Sequence, residues 1–145
     1  MTKSNQTTIV IFGASGDLTR RKLIPALFNS YRKGRLPDSF NIVGFARRPW
    51  DDDHFRGLLH EGMEEFAAAS YDDGKWQTFI PNVTYFRGNL DTPEDFVRLG
   101  EYLADRESGH ANRIYYLATS PTFFVPIVQN LGSSDMVAED GGCAP

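Results

Sequence analysis

The sequence predicts an α/β domain built on a parallel sheet. Three observations carry that expectation. Four short β-branched or apolar runs recur along the chain, helix-period segments separate them, and a glycine turn directly follows the first run. With 145 residues, 41% hydrophobic and 23% charged, there is room for one compact domain of ordinary composition. Fifteen Lys+Arg against nineteen Asp+Glu leave a net charge of −4. That is the wrong sign for a general nucleic-acid binder. Cys143 is the only cysteine, so neither an internal disulfide nor a cysteine metal cluster is expected. No apolar run approaches the roughly 18 residues of a membrane helix. The polar start, Met1 to Thr8, lacks the apolar core of a secretory signal. Neither nucleic acid nor membrane is therefore expected as a partner, and a reduced cytoplasmic setting is.

Thr7 to Phe12 (TTIVIF) suits a strand buried on both faces. It breaks at Gly13-Ala14-Ser15-Gly16-Asp17, and a helix follows with Leu18, Leu23, Ala26, Leu27 and Tyr31 as candidate inward positions. Pro25 fits it awkwardly, because proline removes a backbone donor and should kink the helix. Asn41 to Ala46 (NIVGFA) is the second strand, ending at Arg47-Arg48-Pro49. Asp51 to Asp53 then provide an N-cap and first-turn negative charge, rather than a metal site. Phe55, Leu58, Leu59, Met63 and Phe66 form one stripe along that helix.

Tyr71 to Gly74 reads as a turn, and Lys75 to Ile80 is compatible with helix or loop. Asn82 to Arg87 (NVTYFR) is the third strand. Thr92-Pro93-Glu94-Asp95 is a helix start with cap, proline and early acids. That helix should run to about Arg106, burying Phe96, Leu99 and Leu103. Arg113 to Thr119 (RIYYLAT) is the fourth strand, and Pro121 to Leu131 a last helix. Gly132 to Pro145 is patternless and reads as a loose tail.

Strand, glycine turn and helix start stand in the order that a phosphate site requires. A parallel strand delivers the chain to the sheet's carboxyl edge, and the next helix points unpaired N–H groups and its positive dipole end there. Gly13 permits a tight turn, Gly16 lets backbone approach a pyrophosphate, and Ser15 can add a hydroxyl. The pattern is Gly-x-x-Gly-x-x-Thr, so a turn that merely joins strand to helix is the competing reading. No Gly-Lys-Ser/Thr follows, which excludes a P-loop. Asp17 can cap the helix or organise the turn through its charge. At the end of strand two, NAD-binding folds commonly place an acid on the ribose diol. Here Arg47 and Arg48 stand instead, and guanidinium forks favour the 2′-phosphate of NADP. Solvated surface charge is their alternative role.

Tyr71 to Lys75 matches the Tyr-x-x-x-Lys spacing of short-chain dehydrogenases, but Asp-Asp-Gly between them reads as a turn. His54, His60 and His110 are scattered and read as surface residues.

Ile9 to Leu27 (IVIFGASGDLTRRKLIPAL) resembles the opening of the glucose-6-phosphate dehydrogenases, whose coenzyme turn reads Gly-Ala-Ser-Gly-Asp-Leu-Ala. The similarity continues at Ile42 to Arg47, at Asn89-Leu90-Asp91 and at Ala111 to Pro121, four matches in order. The family also has proline at the position of Pro25. The resemblance implies a Rossmann-like, doubly wound single domain over residues 1–131 that binds NADP. It implies further that this domain is part of an enzyme that oxidises glucose 6-phosphate to a lactone in the pentose phosphate pathway. Gly13, Ala14, Ser15, Gly16, Asp17, Leu18 and Thr19 would surround the pyrophosphate, and Arg47 would meet the 2′-phosphate. Asp91 and Thr92 would lie along the coenzyme, Ala118 and Thr119 near its nicotinamide half. Lys22 corresponds to a lysine near the substrate, a solvated helix cation being its alternative role.

Thr19 replaces the family's alanine and could add a hydroxyl, and Thr119-Ser120-Pro121 replaces Leu-Pro-Pro. The family's Glu-Lys-Pro-Phe-Gly segment and its Arg-Ile-Asp-His-Tyr-Leu-Gly-Lys signature do not occur in these residues. No catalytic residue and no metal ligand is therefore assigned. The expectation is a coenzyme part that stops before the substrate domain, with oligomer contacts in that missing part. A stand-alone dinucleotide-binding sensor, a decayed interaction domain and another Rossmann reductase are the alternatives. Hydride transfer needs a positioned sugar phosphate and a base for the hydroxyl proton. The purified chain is expected to form no appreciable NADPH from glucose 6-phosphate, and robust turnover in that assay would refute this.

Overall fold

All seven residues of the first strand, β1 (Gln6–Phe12), are buried, because neighbours flank it on both edges and helices cover both faces. In this computed structural model, which describes residues 6–37, 39–107 and 111–134, β1 lies between β2 (Ser39–Ala46) and β4 (Asn112–Leu117), with β3 (Val83–Arg87) outside β2. Every pairing is parallel, and the order is β3-β2-β1-β4. The chain therefore builds outward from β1 to β3, then crosses back to β4. This is the doubly wound arrangement expected from the alternating pattern, with its switch point between β1 and β4.

Side-chain alternation along β1 divides the core in two. Ile9 and Ile11 pack with residues of α1 (Ile24–Arg32), α2 (Asp52–Phe66) and α3 (Asp73–Phe79). Val10 and Phe12 pack on the other face with α4 (Pro93–Arg106) and α5 (Phe124–Ser133). Among the described residues, no helix is long and apolar enough to cross a membrane.

The first helix departs from its expected phase. Leu23, Leu27 and Tyr31 pack against the core, partly buried, as expected, but Ile24 and Phe28 are the fully buried positions, Leu18 is 46% exposed and Ala26 lies on the outside. The cause is a π-helical turn over Thr19–Leu23, in which the Ile24 N–H donates to the carbonyl of Thr19. The extra residue rotates everything downstream by about 100°. It also accommodates Pro25, so the expected kink is replaced by a widened turn ahead of α1. Helix α2 packs directly on that turn, since a Cβ at Gly62 would lie 3.1 Å from the carbonyl oxygen of Arg20.

The α2 start behaves as read: Asp51 accepts from the His54 N–H at 2.8 Å. Phe55, Leu59 and Met63 are buried, but Phe66 leaves the stripe and lies beneath Arg20 and Arg21, at 5.5 and 4.7 Å. Two further α2 side chains cap the outer edge of β3. Asp52 accepts from the Tyr85 N–H, and Arg56 Nε donates to the Val83 carbonyl, both at 2.8 Å. The segment that reads as helix or loop is α3, capped by Asp72. Tyr71 precedes that cap in extended conformation, so it and Lys75 do not share consecutive helical turns. Its hydroxyl donates to Asp73 and lies 3.1 Å from Nε2 of His60, which is half-buried rather than a free surface residue. His110, Cys143 and most of the expected tail lie outside the described residues, while Gly132 and Ser133 continue α5 past Leu131.

Among the described residues β4 is paired on one side only, and none of its residues is fully buried; Ile114 and Tyr116 are 46% and 40% exposed. Beside it on α5, Val125 and Val128 are exposed.

Gly44, in the middle of β2, lets α2 approach the sheet: a Cβ there would lie 2.6 Å from Phe55 and 2.8 Å from Ala14. Gly44→Ala is expected to cost about 2 kcal/mol in urea unfolding, the usual penalty of overpacking. A loss below about 0.5 kcal/mol would show that α2 can back away freely.

Candidate functional site

β1 leaves the core at Gly13, whose φ is +87°. A side chain is excluded there twice. The backbone is in the left-handed region that L residues avoid, and a Cβ would lie 2.7 Å from the Ala118 carbonyl oxygen. The Phe45 carbonyl accepts from the N–H groups of Gly13 and Ala14 at 2.9 and 3.2 Å, and Gly16 N–H closes the turn on the Gly13 carbonyl at 3.1 Å. Three loop donors are thereby consumed. Among the described residues, the N–H groups of Ser15, Asp17 and Leu18 have no protein acceptor, and they stand at the positive end of the first helix.

In front of this turn lies a cleft of about 600 Å³ at the carboxyl ends of all four strands. β1 supplies Gly13 and Ser15; β2 supplies Ala46, Arg47, Arg48 and Pro49. Gly88, Asn89, Leu90 and Asp91 follow β3, and Thr119 and Phe123 follow β4. Each wall is tied to the core. The Arg48 carbonyl accepts from the Trp50 N–H at 2.9 Å and the Tyr85 hydroxyl at 2.8 Å. Burial pushes the Tyr85 hydroxyl up to about 12, against the opposing pull of Arg87, Arg48 and that hydrogen bond. It therefore stays a donor at neutral pH.

The loop after β3 is held from both helices beneath it. Gly88 N–H donates to Ala46 at 2.8 Å, and a Cβ on Gly88 would meet Phe45 at 2.7 Å. Asp95 accepts from the Asn89 N–H and from Arg98, both at 2.8 Å. Asn130 Nδ2 donates to the Leu90 carbonyl at 2.9 Å. Burial pushes the Asp95 carboxyl up, but hydrogen bonds from Arg98 and Asn89 and the charge of Arg98 outweigh it and hold it below its usual range.

The residues singled out from sequence divide into two groups. Gly13, Ser15, Arg47, Asp91 and Thr119 come together around the cleft. Gly16, Asp17 and Leu18 are exposed at the helix start, and Asp17 pairs with Arg20 and Arg21 at 3.8 and 4.0 Å. Ala14 is buried against β2. Ala118 is locked behind Gly13, its N–H on the Phe12 carbonyl at 2.9 Å, and Thr92 sits at the α4 cap. Thr19 is fully buried and does not line the cleft, and its hydroxyl has no partner among the described residues. Lys22 is exposed on the π-turn, outside the cleft wall. Gly88 and Phe123 line the cleft without having been singled out. For Gly88 a signal existed, a glycine directly after a strand; for Phe123 none did.

Asp95→Asn should lower stability by about 1 kcal/mol at pH 7, a modest figure because Arg98 is half exposed. The folded-state pKa of Asp95 is depressed, so its contribution is present above the unfolded value of about 3.9 and is lost as pH falls through the folded one. Urea titrations of both proteins should therefore diverge at neutral pH and converge in acid. A gap independent of pH would contradict this.

Three kinds of comparison bear on this site. Residues 10–143 match the family described as glucose-6-phosphate dehydrogenase, NAD binding domain. The glucose-6-phosphate 1-dehydrogenase of Chlamydia muridarum is 37% identical over 92% of this chain and 27% of its own length. That of Schizosaccharomyces pombe is 39% identical over 85% and 25%. Among solved structures, a glucose-6-phosphate dehydrogenase in complex with its substrate glucose-6-phosphate superposes with a TM-score of 0.77 at 32% identity, covering 92% of this chain and 28% of that one. The enzyme of Mycobacterium avium gives 0.79 at 26% identity, over 94% and 28%. The chain thus spans about a quarter of the length of these relatives. On this evidence it belongs to the glucose-6-phosphate dehydrogenase family, as the domain that binds a nicotinamide dinucleotide.

Proposed function

We propose that the chain holds NADP in the four-strand cleft, as the coenzyme-binding part of a cytoplasmic enzyme that oxidises glucose 6-phosphate to its lactone. The observation that carries the choice of NADP is Arg47, an exposed guanidinium in the cleft wall at the end of β2, where an acid would serve the ribose diol of NAD. The residues fit a dinucleotide. A turn that a Cβ at Gly13 would block, and three unspent N–H groups at a helix start, suit the pyrophosphate.

In this reading Ser15, Asp17 and Leu18 bind the pyrophosphate through backbone N–H groups, assisted by the helix dipole. Gly16 keeps the approach open, because a Cβ there would have only the Gly13 carbonyl within 4 Å, at 3.5 Å. Asp91 and Thr92 run along the coenzyme, and Ala118 and Thr119 border its nicotinamide half. When bound, the nicotinamide ring supplies the hydride acceptor. Lys22, exposed on the π-turn, is free to meet the sugar phosphate. Glucose 6-phosphate as substrate is supported by the structural relative described in complex with it.

Titration calorimetry of the purified chain with NADP and NAD tests the coenzyme reading. Binding is expected in the micromolar range for NADP and weaker for NAD. Arg47→Ala should weaken NADP by about tenfold, the scale of one lost charge-assisted contact, with NAD little changed. Equal losses for both coenzymes would contradict the role given to Arg47.

A further inference from the structure

Beyond Arg47 the cleft opens into a niche richer in positive charge than one guanidinium explains. This second cavity, about 420 Å³, is lined by Arg47, Arg87, Gly88, Asn89, Asp95 and Arg98. It shares Arg47, Gly88 and Asn89 with the cleft, so it extends that site. Three arginines and one aspartate line it, a formal excess of two positive charges.

The partners already formed show which charges those are. Arg98 is committed, donating to Asp95 at 2.8 Å and to the Arg87 carbonyl at 3.3 Å, with its guanidinium 4.9 Å over the Phe86 ring. Asp95 is spent on Arg98 and on the Asn89 N–H. The exposed side chains of Arg47 and Arg87 make no hydrogen bond or ion pair among the described residues.

Sheet register brings these two together. Ala46 pairs with Arg87 across β2 and β3, and the Gly88 N–H on the Ala46 carbonyl carries the pairing one step further. Arg47 and Arg87 thus leave adjacent strand ends one register step apart, and both line the niche, where one small anion can meet them. A phosphate monoester carries about −1.5 to −2 at pH 7, which matches the unpaired charge, and its oxygens suit two guanidinium forks.

We propose that Arg87 is a second specificity-determining residue for the coenzyme, gripping with Arg47 the ribose phosphate that separates NADP from NAD. The proposal rests on the NADP reading above. Stacking of the guanidinium on the adenine ring is the competing role, and it makes a different prediction, because both coenzymes carry adenine.

The test is calorimetry on the full chain at fixed salt, comparing wild type, Arg87→Ala, Arg87→Gln and Arg47→Ala with NADP, NAD, 2′,5′-ADP, 5′-ADP and inorganic phosphate. Arg87→Ala and Arg87→Gln should each weaken NADP and 2′,5′-ADP by about tenfold while NAD and 5′-ADP stay within about twofold. Arg87→Gln keeps a long polar side chain at the strand end and carries the comparison if the alanine variant does not fold. Inorganic phosphate competing with NADP only in the presence of Arg87 supports the same assignment. NADP binding unchanged in both Arg87 variants, with Arg47→Ala still selective, overturns the proposal and leaves the NADP reading intact. Equal weakening of NADP and NAD overturns it in favour of stacking. A wild-type chain without preference for NADP overturns both readings.

Discussion

The backbone passes through Gly13 with strand ends on either side and no space for a side chain. The Phe45 carbonyl of β2 receives the Gly13 and Ala14 N–H groups, while the Ala118 N–H beyond β4 returns to the Phe12 carbonyl. Phe12 and Gly13 together thus join three strand ends at the sheet's carboxyl edge. The pleat of β1 reaches the turn without slack, because β1 is paired on both sides from Thr7 to Phe12. The helix start is aimed by that turn, and the N–H groups it leaves unspent are aimed with it.

The rest of the cleft is rigid for a different reason. The walls contributed by β2 and β3 are loops, which are ordinarily the mobile parts of a fold. Here three backbone groups of these loops are held by side chains of β3, α4 and α5: Tyr85 on Arg48, Asp95 on Asn89, Asn130 on Leu90. The exposed guanidiniums of Arg47 and Arg87 therefore project from a fixed backbone, so that mainly side-chain freedom is lost when they close on an anion.

Much of this was legible from local chemistry. Thr92-Pro93-Glu94 announces a helix start whatever surrounds it, and α4 runs from Pro93 to Arg106 as read. The run IVIF followed by Gly-Ala-Ser-Gly announces a buried strand and a tight turn, because β-branched residues and glycines have few other uses in that order. What was not legible depends on contacts across the fold. The π-turn fits where helix α2 lies against the Arg20 carbonyl, an approach eased by the glycine at 62, where a Cβ would lie 3.1 Å from that oxygen. Leu18 looked like an inward residue in an unbroken helix and became an exposed one once the phase had shifted. Thr19 promised a hydroxyl at the pyrophosphate, yet the same turn carries it into the interior. Phe123 lines the cleft only because β4 returns beside β1, a fact of topology without a local signature.

The two borders of the sheet are chemically unlike. On β3 the outward groups of Tyr85 and Val83 are engaged by Asp52 and Arg56 of α2, whereas among the described residues β4 is paired to β1 alone and presents Ile114 and Tyr116 with little cover. A sheet finished in this way has a direction of growth: another strand finds ladder positions along β4 and meets occupied ones along β3.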